Sequence, residues 1–226
     1  MLQAVIFDFD GVITDSETLH FHALNKALAQ FNAEITTEDY YKDYLGLNDL
    51  ECFQLISEKN RLKLDSNQIK VLAKKKNQIF EKLAKTETKI ISGVSELLQM
   101  LRETKITMAI CSGALLSEIK LILEYGGLEQ FFEVIVSSDQ VKKGKPHPEG
   151  LLLTLERLNK KERRPISANE CIVIEDSRWG LEAAKEAGMH TIAVTNSYTA
   201  EQLSMAEKIV TNLNELAIND LIKLCD

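Results

Sequence analysis

Short apolar runs alternate with stretches of helical spacing along most of this chain. The apolar runs are rich in aliphatic and β-branched residues, as strands are, and they lie at Ala4–Phe7, Ile106–Cys111, Val134–Val136, Cys171–Ile174 and Thr191–Val194, with a weaker one at Lys208–Val210. Helical spacing lies between them, for example at Ser95–Glu103, Leu115–Tyr125 and Gly150–Leu158. Because such alternation is typical of a parallel sheet with right-handed crossovers, the pattern predicts an α/β fold.

One long region interrupts this alternation with helical spacing alone. It runs from about Ser16 to about Thr86, and its apolar periodicity is clearest at Leu19–Leu28, Leu50–Ile56 and Ile69–Leu83. Turn-prone segments at Gly11–Asp15 and Thr86–Gly93 flank it. We therefore predict a core formed by residues 1–15 and 87–226, interrupted by a helical insertion at residues 16–86.

Polar residues follow four of the predicted strands at the points where these strands end. They are Asp8, Asp10 and Gly11 after the first, Ser112 and Gly113 after the second, Lys145 beyond the third, and Glu175 with Asp176 after the fourth. Ligands of open parallel sheets bind beyond the carboxyl ends of the strands. We therefore expect these residues to share one pocket.

The composition narrows the classes of partner. The chain has 226 residues, 45% of them hydrophobic and 27% charged, as in an ordinary globular protein. Its net charge of −7 disfavours general attraction to nucleic acid or to an anionic membrane. Any phosphate group must therefore meet local cations or a metal ion. We expect a small phosphorylated metabolite as the partner, no nucleic acid, no membrane, and a monomer.

The cysteines and the apolar runs predict the compartment. The four cysteines, Cys52, Cys111, Cys171 and Cys225, are far apart and form no CxxC pair, so we expect free thiols rather than a zinc site. The N-terminus has no signal-peptide pattern, and no apolar run approaches the roughly 18 residues of a membrane span. These features predict a cytoplasmic protein.

Three carboxylates at the predicted pocket indicate a metal ion. Asp8, Glu175 and Asp176 would repel one another if they were brought together without a cation. Mg²⁺ removes this repulsion, since it prefers a few carboxylate oxygens together with water and a substrate phosphate. The sequence therefore predicts Mg²⁺ as the cofactor.

The remaining polar groups suit a phosphoryl group. Lys145 supplies a positive charge, and Ser112 with the Gly113 amide supplies hydrogen-bond donors. Asp8 can then attack phosphorus as a carboxylate nucleophile. Asp10 can protonate the leaving oxygen and later take a proton from the acceptor.

Each of these motifs alone has a simpler structural interpretation. A Ser-Gly pair is most often a turn, and Glu175–Asp176 before a helix is most often a favourable terminal charge. DxDG also begins calcium loops, but their glycine stands sixth, whereas Gly11 is fourth here. The ordered set at four strand ends is much more specific, and it favours catalysis.

The same segments resemble the motifs of a known family in their order along the chain. DFDGVITD, Ser112, KGKPHPE and IEDSRWGLEAAKEAGM are similar to the four motifs of the haloacid dehalogenase-like superfamily of aspartyl-phosphate phosphotransferases. The insertion resembles the helical C1 cap of that family. DGVITD, His20 and the run AKKKN at residues 73–77 resemble its β-phosphoglucomutase-like branch, which includes sugar-phosphate phosphatases.

The resemblance implies a Rossmann-like, doubly wound parallel core with an inserted helical cap that closes over the site. It implies that Asp8 is the nucleophile, that Asp10 is the general acid and base, and that Ser112 and Lys145 bind the phosphoryl group. The Mg²⁺ ligands that it implies are Asp8, the backbone carbonyl of Asp10, Glu175 and Asp176.

Two residues of the insertion are candidates for substrate contacts. His20 lies on a predicted helix and faces either the substrate or the helix surface. Lys76, in the run Lys74–Lys76, is expected to be a solvated cation unless it reaches the substrate.

The insertion departs from the mutase pattern at one place. Mutases of this branch carry an arginine, soon after a glycine, that grips a second phosphate. Here Gly46 is followed by Asn48 and Asp49. An aspartate there would repel a second phosphate by about 1–4 kcal/mol for unit charges about 4 Å apart near a surface. This favours a monophosphate phosphatase over a bisphosphate-using mutase.

The sequence as a whole predicts a Mg²⁺-dependent hydrolase of a small phosphomonoester, such as a sugar phosphate, that acts through an aspartyl-phosphate on Asp8. The alternatives are a sugar-phosphate mutase, a dehalogenase and a non-catalytic binding module. A dehalogenase would leave Asp10 and the metal carboxylates unexplained, and a binding module would need neither a nucleophile nor an acid and base.

Overall fold

The computed structural model describes residues 1–44, 47, 49–60, 62–161 and 164–226. The chain divides into two compact units. The core unit consists of Met1–Asp15 and Lys89–Asp226, and the helical unit is Ser16–Thr88. The predicted second boundary, between residues 86 and 87, lies within the last turn of a helix that ends at Glu87.

The core unit contains one six-stranded sheet. Its strands are β1 (Ala4–Phe7), β2 (Thr107–Cys111), β3 (Val134–Val136), β4 (Cys171–Glu175), β5 (His190–Val194) and β6 (Lys208–Val210). Every neighbouring pair is parallel, and the strand order is β3-β2-β1-β4-β5-β6. The predicted α/β fold is therefore confirmed, and each predicted strand boundary is correct to within one residue.

Helices account for most of the remaining regular structure. They are α1 (Glu17–Leu28), α2 (Thr37–Asp39), α3 (Asp49–Lys59), α4 (Ser66–Glu87), α5 (Val94–Glu103), α6 (Leu116–Gly126), α7 (Glu149–Asn159), α8 (Arg178–Glu186) and α9 (Ile218–Leu224). A π-helical turn, Tyr40–Tyr44, continues α2. Short 3-10 turns occur at Ala29–Phe31, Glu129–Phe131, Ser138–Gln140, Ala168–Glu170 and Leu213–Glu215.

The central strand β1 is apolar along its whole length because helices and neighbouring strands enclose it. All four of its residues are buried. Ala4 and Ile6 belong to a cluster that includes Leu151 of α7 and Ala183 of α8. Continuous burial is expected for a central strand of a parallel sheet, since crossover helices cover its faces.

The order of the strands determines where a site can form. From β1 the chain passes to β2 and β3 on one side, and then to β4, β5 and β6 on the other. The direction of winding therefore reverses between β1 and β4, where open α/β sheets form a crevice for ligands. Phe7 pairs with Ile174 in register, so Asp8 and Glu175 follow the ends of adjacent strands.

The helical unit has its own core. Residues Leu24 of α1, Phe53 and Ile56 of α3, and Leu72 of α4 are at most 2% exposed and pack in one cluster. Helix α4 begins with a capping box, in which the Asp65 carboxylate accepts hydrogen bonds from the first-turn amides. Among the described residues, regular structure between Ser16 and Thr88 is exclusively helical.

The points at which the chain leaves and re-enters the core unit lie side by side. The Asp15 amide donates to the Lys89 carbonyl at 3.3 Å, and the Ile91 amide donates to the Ile13 carbonyl at 3.0 Å. The Thr14 hydroxyl also donates to the Lys89 carbonyl, at 3.0 Å. These bonds hold together the two ends of the core unit from which the insertion arises.

Two further findings concern the expectations from composition. None of the described helices is long and apolar enough to cross a membrane. All four cysteines are free, with Cys52, Cys111 and Cys171 buried and Cys225 half-buried.

We expect Phe53→Ala to destabilise the protein by about 3–5 kcal/mol, because it removes a fully buried ring from the core of the helical unit. Val71→Ala is the control, since Val71 lies on α4 and is 67% exposed; we expect it to change stability by less than about 0.5 kcal/mol. Urea unfolding monitored by circular dichroism measures both. Equal losses for the two variants would contradict the packing described here.

Candidate active site

The first candidate residues follow β1 in a tight turn. Asp8 is 7% exposed, and its amide donates to the Ile174 carbonyl at 2.9 Å, which extends the pairing of β1 with β4. Asp10 lies two residues further on, is half-buried and forms a β-bridge with Thr14. Gly11 follows with φ of +79°, a conformation that glycine adopts without strain. The turn therefore places both aspartates at the carboxyl edge of the sheet.

Three predicted metal ligands lie together at this edge. Carboxylate oxygens of Asp8, Glu175 and Asp176 all lie within 4.8 Å of one another, and all three residues are buried. It is the only such group of potential metal ligands among the residues that the structure describes. A divalent cation fits this set because its donors are hard oxygens with an excess of negative charge.

Lys145 links two of these carboxylates. Its ammonium group donates to Asp8 Oδ1 at 2.5 Å and also to Glu175 Oε1. Burial disfavours the charged form of Lys145, but the carboxylates of Asp8 and Glu175 hold its pKa well above the usual value. Lys145 therefore remains a cation inside the site.

Glu175 has both of its carboxylate oxygens engaged. Oε2 accepts hydrogen bonds from the Asp176 amide at 2.8 Å, the Ser177 amide at 2.7 Å and the Ser177 hydroxyl at 2.8 Å. Oε1 accepts from Lys145. Glu175 therefore anchors both Lys145 and the turn that carries Asp176, in addition to lying in the acidic cluster.

Burial and mutual repulsion make two of the carboxylates unusually basic. Burial, together with the charges of Glu175 and Asp10, raises the pKa of Asp8 from 3.8 to about 7, although Lys145 opposes the shift. Burial and the charges of Asp8 and Glu175 raise the pKa of Asp176 from 3.8 to about 8. Without a metal ion, protons partly balance the charge at neutral pH.

Two glycines allow the backbone to approach these carboxylates closely. A Cβ atom on Gly180 would lie 1.6 Å from Glu175 Oε1, and a Cβ atom on Gly11 would lie 1.8 Å from Asp176 Oδ2. Any side chain at either position would displace a carboxylate or the backbone. The first turn of α8 and the turn after β1 are thus packed directly against the acidic cluster.

The predicted phosphate-binding residues line a common space. A cavity of about 160 Å³ has walls that include Ser112, Gly113 and Lys145. Ser112 continues β2, since its amide donates to the Val136 carbonyl at 2.9 Å, and its hydroxyl accepts from the Ala114 amide at 2.9 Å. Ser112, Gly113 and Lys145 therefore line one cavity of the core unit, whereas the acidic residues expected in the same pocket are not among its lining residues.

The loop after β5 contributes two polar residues that the sequence analysis did not identify. The Ser197 hydroxyl donates to Asp176 Oδ2, and the Asn196 side-chain amide donates to the Gly11 carbonyl at 2.7 Å. The signal that could have found them is their place after a fifth strand, at the same edge of the sheet.

His20 and Lys76, the candidate substrate residues, lie together in the helical unit. Lys76 Nζ lies 2.7 Å from His20 Nδ1 and 2.8 Å from Asp49 Oδ1. The imidazole of His20 stacks on Phe80, with ring centroids 4.2 Å apart. Burial and the charge of Lys76 hold the pKa of His20 well below its usual value, so this imidazole is neutral.

The solvated interpretation of Lys76 is wrong, and of the two alternatives left open for His20 the structure disfavours the helix surface. Lys76 is only 2% exposed, not solvated, because it shares the apolar face of α4 with Leu72 and Phe80. His20 does not lie on an open helix surface, since its ring is covered by Phe80.

Asp49 is not an isolated negative charge, as the predicted repulsion of a second phosphate requires. Its carboxylate is paired with Lys76, so the positive charge of the lysine offsets much of the repulsion that it would exert on a phosphate. Gly46 and Asn48, the other residues in that comparison, lie outside the described residues.

Comparison with known proteins points to one family. Residues 5–194 match the family model described as haloacid dehalogenase-like hydrolase. A phosphorylated carbohydrates phosphatase of Thermotoga maritima is 36% identical over 193 residues, which cover 84% of each chain. A chloroplastic 5-amino-6-(5-phospho-D-ribitylamino)uracil phosphatase of Arabidopsis thaliana is 34% identical over 76% of this chain, and this match spans 45% of that protein.

A solved structure shows the same similarity across the whole chain. The β-phosphoglucomutase of Clostridium difficile superposes with a TM-score of 0.81 at 26% identity. The match covers 100% of this chain and 97% of the other.

The raised pKa values of Asp8 and Asp176 predict how the metal-free protein responds to pH. A carboxyl group that is more basic in the folded state than in the unfolded state stabilises the fold while it is protonated. That contribution is lost as the pH rises from about 4 towards 8. Each pKa unit corresponds to about 1.4 kcal/mol. We therefore expect the metal-free protein to lose stability over this range.

Asp176→Asn tests this expectation. In EDTA the variant should be more stable than the wild type by at least about 1 kcal/mol near pH 8, and the gain should shrink towards pH 5. Urea unfolding at several pH values measures the difference. Asp226→Asn is the control, because Asp226 is exposed. A gain that stays constant with pH would contradict the raised pKa of Asp176.

Proposed function

The chain belongs to the haloacid dehalogenase-like hydrolase family, and from this premise we propose that it is a Mg²⁺-dependent phosphatase. Its substrate is a small phosphomonoester, with a sugar phosphate as the leading class. The reaction passes through an aspartyl-phosphate on Asp8. The names of its relatives support the choice of substrate, since one is a phosphorylated carbohydrates phosphatase and another acts on a phosphoribityl compound.

One observation carries this proposal more than any other. At the switch point of the sheet, the buried Asp8 carboxylate lies against Lys145 and within 4.8 Å of two further carboxylates. A binding module has no need for such an arrangement, because burying like charges together costs stability. An enzyme that transfers a phosphoryl group needs a nucleophile, a cation and metal ligands in one place.

The residues of the site suggest a division of labour over two steps. In the first, Asp8 attacks phosphorus while the bond from phosphorus to the leaving oxygen breaks, and Asp10 gives that oxygen a proton. In the second, Asp10 takes a proton from water, which attacks the phosphorus of the aspartyl-phosphate while the bond from phosphorus to the Asp8 oxygen breaks; inorganic phosphate is released and the Asp8 carboxylate is restored. Ser112, the Gly113 amide and Lys145 hold the phosphoryl oxygens during both steps.

We assign the Mg²⁺ ligands to Asp8, the backbone carbonyl of Asp10, and Asp176, with Glu175 beside them. The clustered oxygens and the raised pKa values of Asp8 and Asp176 support this assignment, since a divalent cation would relieve the repulsion that protons now balance. When bound, the ion supplies positive charge to the phosphate oxygens. Glu175 contributes mainly by holding Lys145 and the Asp176 turn, because its oxygens already accept four hydrogen bonds.

We assign selection of the rest of the substrate to the helical unit, which resembles a C1 cap. His20 and Lys76 are its candidate contacts. Lys76 is ion-paired with Asp49 and lies within hydrogen-bond distance of His20, so the polar groups of these side chains have partners within the helical unit. Such contacts are expected for side chains held in fixed positions.

A sugar-phosphate mutase is the second candidate, and the likeness to β-phosphoglucomutase favours it. A mutase would return the phosphoryl group from Asp8 to a second position of the sugar instead of passing it to water. It would therefore isomerise its substrate without net release of phosphate.

A screen of sugar and nucleotide monophosphates with Mg²⁺ distinguishes the two. Phosphate release is measured in each tube, and the sugar phosphates are followed by NMR. Release from a narrow set of substrates supports the phosphatase, whereas isomerisation without release establishes the mutase. Absence of both, with Mg²⁺ present, would refute the proposal.

We expect Asp8→Asn to lower the turnover number by at least roughly a thousandfold, because an amide is a poor nucleophile and cannot form the aspartyl-phosphate. The fold should be retained, since the change removes a buried charge from a crowded acidic cluster. Phosphate release measures activity, thermal unfolding checks the fold, and Asp226→Asn serves as the control. A fully active Asp8→Asn variant would rule out the proposed nucleophile.

A further inference from the structure

The loop that follows β5 is held firmly at the carboxyl edge of the sheet. The Thr195 amide donates to the Val210 carbonyl of β6 at 3.0 Å. Tyr198 packs against a small apolar cluster that contains Leu181 of α8 and Ala193 of β5. Asn196 and Ser197 lie between these two anchors, so their side chains have a defined position relative to β4 and α8.

Ser197 reaches from this loop to the Asp176 carboxylate of the acidic cluster. Its hydroxyl donates to Asp176 Oδ2. Asp176 is only 4% exposed, whereas Ser197 is exposed. A surface serine therefore holds a buried carboxylate by a hydrogen bond.

The turn after β1 completes the contact. The Asn196 side-chain amide donates to the Gly11 carbonyl at 2.7 Å. A Cβ atom on Gly11 would lie 1.8 Å from Asp176 Oδ2 and 3.0 Å from Ser197 Oγ. Segments after β1, β4 and β5 therefore meet at a single carboxylate oxygen of Asp176.

We propose that Ser197 is a positioning residue for the metal site: its hydroxyl fixes the rotation of the Asp176 carboxylate and so directs the other oxygen, Oδ1, towards the metal ion. This rests on the proposed function, which takes Asp176 as a ligand. A carboxylate with one oxygen held loses little rotational freedom when the other oxygen binds a cation. Loss of such an outer partner typically weakens metal binding by about 10- to 100-fold.

Calorimetric titration of the metal-free protein with Mg²⁺ alone tests this inference without relying on activity. We expect Ser197→Ala to weaken the affinity for Mg²⁺ by about 10-fold or more, and Ser197→Thr, which keeps the hydroxyl, to restore most of it. Ser204→Ala is the matched control, because Ser204 is an exposed serine of the following segment. The affinity of Ser204→Ala for Mg²⁺ should equal that of the wild type.

Kinetics and stability separate positioning from a general structural effect. In Ser197→Ala, the Mg²⁺ concentration needed for half-maximal rate should rise, while the turnover number at saturating Mg²⁺ stays close to that of the wild type. The thermal unfolding temperature in EDTA should fall by no more than a few degrees, since the substitution removes one hydrogen bond made by an exposed residue. A fall in the turnover number that Mg²⁺ does not repair would contradict a positioning role.

Titrations of the wild type and of Asp176→Asn show whether a negative result refutes this inference or the proposed function. If the wild type does not bind Mg²⁺, or if Asp176→Asn binds it as tightly as the wild type, the proposed metal site itself is wrong. If the wild type binds Mg²⁺, Asp176→Asn does not, and Ser197→Ala matches the wild type, only the role of Ser197 is refuted. A loss of affinity that Ser204→Ala shares would refute it as well.

Discussion

The ammonium group of Lys145 faces more negative charge than it can neutralise. It is bonded to Asp8 and Glu175, and the Asp176 carboxylate lies in the same cluster. The excess charge raises the pKa values of Asp8 and Asp176, so the site requires either protons or a divalent cation. A protein selected for stability alone would avoid such a cluster. Its presence at the switch point of the sheet is therefore best explained by chemistry carried out on a charged substrate.

The cluster depends on close backbone packing as much as on its charges. Gly11 and Gly180 leave no room for a side chain beside Asp176 and Glu175. Parallel register between β1 and β4 brings the two acidic turns to the same level, and Ser197 approaches from the neighbouring strand. The sheet thus places the carboxylates at one edge, the two glycines leave room for them, and hydrogen bonds fix their orientation. Each of these features is local in the sequence, but they act together only in the folded sheet.

Much of the fold and of the site could be predicted from the sequence, because the strands are short, continuous apolar runs and polar residues mark their ends. Asp8 and Lys145 were found in this way, by the rule that ligands bind beyond the carboxyl ends of parallel strands. The burial of Lys76 could not be predicted, since a run of lysines indicates a solvated surface, and its partner Asp49 lies on another helix. The contact of Ser197 with its carboxylate was missed for a similar reason, because an isolated serine in a loop carries no signal of its partner.

The most direct test of a phosphoryl-transfer centre built on Asp8 is to trap the phosphoryl group on the protein. The enzyme would be mixed with Mg²⁺ and the best substrate from the screen, quenched rapidly in acid, digested and analysed by mass spectrometry. We expect the mass of one phosphoryl group on the peptide that contains Asp8, and none in the Asp8→Asn variant. Turnover with no phosphorylated peptide, or with the phosphoryl group on a different residue, would contradict the assignment of Asp8 as the nucleophile.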